Sequence, residues 1–118
     1  MQGPDRRCSA RFTRRYDATL DDVWHALTDR DSLARWLAPP PGVTVTRAEP
    51  ERVLELDWSP PGEPSSVVRI ELHAEGERTV LVLEHSRIDA VLGMRYMRDW
   101  FSAIERFDGE LGHQRRQK

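Results

Sequence analysis

Apolar and polar residues alternate from Arg11 to Tyr16, with Phe12 and Tyr16 on one face and Arg11, Thr13 and Arg15 on the other. This period predicts a half-exposed strand, and its arginines suit a sheet edge. The spacing then becomes helical. Thr19 stands three residues before Asp22, so its hydroxyl can accept a free backbone N–H while the acid complements the positive helix end; Val23, Trp24 and Leu27 form the apolar stripe. Asp31 is placed to cap a second short helix carrying Leu33, Trp36 and Leu37, which Pro39, Pro40 and Pro41 forbid from continuing. Alternation returns at Val43 to Glu49, turns at Pro50 and Glu51, and resumes at Val53 to Trp58 with Leu54, Leu56 and Trp58 on one face. Ser59 to Ser65, with three prolines and a glycine, is a loop. Val68, Ile70 and Leu72 alternate with Arg69, Glu71 and His73 in the next strand, Glu75 to Arg78 turns, and Thr79 to His85 is the most apolar strand, hence central. Tyr96, Met97, Trp100, Ile104, Phe107 and Leu111 recur at helical spacing and predict one long helix ending before Gly112. This order reads as α+β: a curved antiparallel sheet of about five strands, two short helices after strand one, and a long C-terminal helix across the concave face.

Composition narrows the class. The 118 residues suffice for one domain, with 18 basic against 20 acidic residues and a net charge of −2. The basic residues are scattered, so the electrostatic footprint of a nucleic-acid binder is missing. Cys8 is the sole cysteine, which leaves no internal disulfide and no cysteine-rich metal site. No apolar run approaches the ~20 residues that cross a bilayer, and Met1 to Arg7 is polar. A cytoplasmic protein without a membrane partner is expected, with residues 1–10 a flexible arm, 11–112 the domain and 113–118 a flexible basic tail.

Particular words add to the element order. Tyr16-Asp17-Ala18 leading to Val23-Trp24-His25-Ala26-Leu27-Thr28-Asp29, then Leu33-Ala34-Arg35-Trp36-Leu37, Glu49-Pro50-Glu51-Arg52-Val53-Leu54 with Trp58, and Leu81, Leu83 and His85-Ser86 ahead of Trp100, Ile104 and Phe107, resemble the SRPBCC superfamily of START-like, helix-grip domains. The resemblance is to the bacterial branch related to the activator of the heat-shock chaperone ATPase and covers about Arg11 to Leu111. It implies a helix-grip fold and the binding of a hydrophobic small molecule, in stress response or secondary metabolism. It also implies one more strand than this chain has, because only Ala38 to Gly42 separate Leu37 from Val43.

In such a fold a hollow between sheet and helix would be lined by Trp36, Leu54, Leu56, Trp58, Ile70, Leu83, His85, Trp100 and Ile104, an apolar wall suited to hydrophobic ligands. His85 is the one titratable residue facing inward on an apolar strand, so it is either a satisfied structural histidine or, in a cyclase- or dehydratase-like enzyme, an acid or base. A protein-interaction module like the chaperone activator is the third reading. Glu55 and Asp57 alternate with the inward residues and belong to the solvated face; Arg14, on the face of Phe12 and Tyr16, can pair with an acid; Asp22, His25 and Asp29 have helical metal-ligand spacing but no fourth ligand. No nucleophile triad, phosphate loop or nucleotide fingerprint is present, and no cofactor or metal is expected. The expected sheet order leaves Val43 to Arg47 as a free edge, β-branched at four positions with one charge, and thus a seam for a homodimer.

Overall fold

The alternating segments become five antiparallel strands in a computed structural model that describes residues 6–116, the last four by backbone alone. The strands are β1 (Arg7–Tyr16), β2 (Val43–Glu49), β3 (Val53–Trp58), β4 (Ser66–Glu75) and β5 (Arg78–Asp89). The helices are α1 (Leu20–Thr28), α2 (Arg30–Trp36) and, after a 3-10 turn at Ala90–Leu92, α3 (Gly93–Arg116). The sheet order is β1-β5-β4-β3-β2, as the period-2 segments predict, and the whole is an α+β helix-grip architecture with α3 packed on the inner face of a curved sheet.

Several boundaries differ from the sequence reading, each for a local reason. β1 starts at Arg7 rather than Arg11, because Arg7 pairs with Asp89 and Cys8 with Ile88 in a ladder that the weak alternation of Arg7 to Ala10 does not announce. The arm expected over residues 1–10 therefore overlaps β1, and residues 1–5 lie outside the described residues. α3 runs through Gly112 to Arg116, into the expected tail, of which 117 and 118 lie outside the described residues. α2 is capped by Asp29, whose Oδ2 accepts from Ser32 N at 3.1 Å, and not by Asp31, which sits in the first turn.

The core is built on the two periodicities. Leu54, Leu56, Val68, Ile70, Leu72, Leu81 and Leu83 point inward from the sheet and meet Trp100, Ile104, Phe107 and Leu111 of α3. Each fully buried aliphatic or aromatic side chain contributes about 1.5–3 kcal/mol. On the opposite face one row crosses all five strands, Arg11, Glu84, Arg69, Glu55 and Arg47, alternating in sign, so Glu55 lies on the outer face as expected but half-buried between Arg47 and Arg69. β5 carries a bulge: Ser9 faces both Ser86 and Arg87, and Arg87 takes up the extra residue at φ 60°. The bulge resets the alternation, so that His85 and Ile88, three residues apart, both point inward.

Candidate functional site

The inner face is not hollow along its length. Trp36 and Phe107 meet edge to face at 5.2 Å between α2 and α3, and with Ile70, Leu83 and Ile104 they fill the space where the central hollow was expected. Of the nine residues expected to line it, Trp36, Ile70, Leu83 and Ile104 are core. Leu54 and Leu56 line a groove of only about 110 Å³ beside Val45. Trp58, His85 and Trp100 come together in a different place, a cleft of about 530 Å³ at the end of the sheet beside the first half of α3.

Two loops wall this cleft. α2 ends at Leu37, and Ala38 turns the chain at φ 46°, a left-handed conformation that strains a residue with a Cβ. Pro40 then continues the wall. Gly42, at φ 90°, holds this segment against the Ser59 loop: its carbonyl accepts from Ser59 N at 3.0 Å, and a Cβ there would fall 2.0 Å from Ser59 O. From the far side of that loop Glu63 reaches α3. It accepts from the Tyr96 hydroxyl and pairs with Arg95 Nη2 at 2.7 Å. The hydroxyl and the guanidinium together hold the Glu63 carboxyl below the usual range, while burial, with the carboxylate beside it, pushes the Tyr96 phenol up to about 12.

The floor is aromatic. The His85 ring stacks on Tyr96 with centroids 5.0 Å apart, and Trp58 lies 5.5 Å from both His85 and Trp100. Trp100 Nε1 donates to His85 Nδ1 at 2.8 Å, and His85 Nε2 lies 2.7 Å from Ser66 Oγ, which donates on to Trp58 O at 3.3 Å. An indole N–H can only donate, so Nδ1 is an acceptor and the proton of the neutral ring sits on Nε2. Ser66 and His85 thus resemble a nucleophile and its base in the wrong tautomer, since Nε2 already carries a proton and cannot take the serine's. Burial pushes the His85 pKa down to about 4, so the ring is neutral at ordinary pH. The arrangement is a neutral, satisfied, aromatic floor whose rings are themselves 9% exposed or less.

The polar rim was not legible in the sequence. Arg95, Asp99 and Arg106 sit at i, i+4 and i+11 on α3, on the flank that helical periodicity assigns to solvent. The other singled-out residues lie elsewhere. Arg14 is half-buried on β1, outside the cleft. Asp57 accepts from Ser59 Oγ at 3.2 Å, and His25 Nε2 stands 4.0 Å from Asp29 Oδ1. No group of three His, Cys, Asp or Glu among the described residues is placed to hold a metal ion, and no described helix is long and apolar enough to cross a membrane.

No family model matches the chain, and no curated protein does. Solved structures do match. The crystal structure of CalU16 from Micromonospora echinospora superposes with a TM-score of 0.77 at 27% identity, over 92% of this chain and 79% of that one. Its solution structure gives 0.78 at 30% identity, over 87% of this chain and 65% of that one. DynU16, a protein in the dynemicin biosynthetic locus, gives 0.76 at 23% identity over 92% of this chain, which spans only 48% of DynU16. The helix-grip fold is common to them.

Proposed function

We propose that this chain is a START-like member of the SRPBCC superfamily that binds a hydrophobic small molecule in the cleft beside α3, without turning it over. The observation that carries this reading is the cleft floor, where Trp58, Tyr96 and Trp100 surround a histidine with no hydrogen-bonding capacity left over. A volume of about 530 Å³ falls in the range of ligand pockets. The similarity to DynU16, from a biosynthetic locus, favours secondary metabolism over stress response. A cyclase-like reaction through His85 is disfavoured by its tautomer, and a cytoplasmic setting remains part of the proposal. So does a homodimer through Val43 to Arg47, supported by the free edge of β2 and the exposure of Val45.

The test is a fluorescence titration with the neutral dye N-phenyl-1-naphthylamine. Saturable binding at one dye per chain is expected, and Ser102→Trp, which adds bulk to the cleft wall from an exposed helix position, should weaken it at least tenfold. Unsaturable binding, or binding indifferent to Ser102→Trp, refutes the site.

A further inference from the structure

The cleft's charged rim holds two cations and two acids, and they are not equivalent. Arg95 is committed: Glu63 pairs with it, and its guanidinium lies 5.1 Å from the centroid of the Tyr96 ring. Arg106 is held differently. Its Nε donates to the backbone carbonyl of Trp36 at 3.0 Å, which anchors the stem and fixes the plane of the fork. Its two terminal nitrogens meet no carboxylate or other acceptor among the described residues, yet the side chain lines the cleft. A guanidinium anchored through Nε on a side chain that lines a cavity, its Nη groups without an acceptor among the described residues, can pair with two oxygens of a carboxylate or sulfonate. Asp99 lies on the same helix face seven residues earlier, about 10 Å along the axis. Its charge repels an anion at that end and leaves the Arg106 end as the place for one.

We propose that the ligand is a flat aromatic acid, its rings on the Trp58, Tyr96 and Trp100 surface and its oxyanion on Arg106. This rests on the cleft being the binding site and deepens that reading by naming the ligand class. Aromatic faces take up a planar apolar body, while one charge-assisted bidentate pair at the mouth sets its direction. The neutral His85 adds no competing charge at the floor.

Two dyes that share one skeleton test this. 1-Anilinonaphthalene-8-sulfonate is N-phenyl-1-naphthylamine with a sulfonate added. The sulfonated dye is expected to bind more tightly than the neutral one, and Arg106→Gln to weaken it about ten- to hundredfold while changing the neutral dye less than twofold. Arg106→Lys, which keeps the charge, should recover part of the loss. Arg98→Gln, an exposed cation outside the cleft lining, should change neither dye. Melting curves of each variant establish that the domain is folded. Equal loss of both dyes in Arg106→Gln, or no loss of the sulfonated one, overturns the assignment while leaving the binding site intact. Failure of both dyes to saturate the unmodified protein overturns the site itself and the ligand class with it.

Discussion

Trp100 decides what His85 can do. Because the indole N–H must donate, His85 Nδ1 must accept, and the imidazole is locked as the Nε2–H tautomer with Ser66 as its acceptor. A second proton on Nδ1 would set two N–H groups against each other. Burial holds the pKa at about 4, below the ordinary 6.5 of the unfolded chain. The unfolded state therefore takes up a proton first as pH falls, so stability is full above about 6.5 and declines toward about 4. The decline should total about 3 kcal/mol, at up to ~1.4 kcal/mol per pH unit. His85→Gln can keep both hydrogen bonds, its carbonyl facing Trp100 and its amide facing Ser66, and cannot titrate. Urea denaturation at pH 7 and pH 5 should show a clearly smaller loss in the variant than in the unmodified protein, and equal losses would contradict the assignment. In ¹⁵N spectra at pH 7, the proton of His85 should be found on Nε2.

At the scale of elements, α2 ends on a residue unsuited to its backbone. Ala38 holds φ 46° just past the helix, where glycine carries no steric cost. Ala38→Gly should raise stability by about 0.5–1 kcal/mol after the entropy glycine adds to the unfolded chain, measured as a higher melting temperature. A lower melting temperature would show that the strain is relieved by contacts of the Cβ. α3 depends on its contact with the sheet end. Trp100 is 3% exposed and meets Trp58 and His85, so Trp100→Ala should cost about 3–5 kcal/mol and leave the domain marginal in the same assay. These elements were legible to different degrees. Strand alternation at Val53 to Trp58 and the proline stop after Trp36 specify pairing and boundary through side chains alone, and the sheet order follows. Ala38 and Arg87 adopt left-handed backbone at residues whose side chains give no hint of it. Hydropathy predicts a hollow along the inner face because it says which residues point inward and not whether their volumes fill the space. Trp36 and Phe107 do fill it. Arg106 is not legible in the sequence because its value lies in an anchored Nε and uncommitted Nη atoms, a matter of geometry.

For the whole molecule, β2 is one of the two edges of the sheet. β2 has one open side, and Val45 is 56% exposed, as a pairing edge requires. It is also bulged at Thr46, and Arg47 beside it is engaged with Glu49 and Glu55, features that twist and charge an edge against partners. Only Val43 to Val45 then remain straight enough for a two-fold seam, so the proposed homodimer should be weak. Small-angle scattering should show mass rising from 13.7 kDa with concentration, and Val45→Pro should hold it there. A mass of 13.7 kDa throughout the series excludes the dimer. The other bulge, at Arg87, reaches further, because a strand has a phase and this is where β5 slips by one. Upstream of it Leu81, Leu83 and His85 keep step with the core; downstream, Ile88 and the start of α3 are set by the extra residue. Deleting that single position would leave a regular ladder with Ile88 still inward, whereas adding one more residue there would exceed what the bulge absorbs, turning Ile88 outward and shifting the start of the helix that carries Tyr96, Trp100 and Arg106. Ligand choice in such a domain is therefore open to change by a one-codon insertion as well as by exchange of side chains.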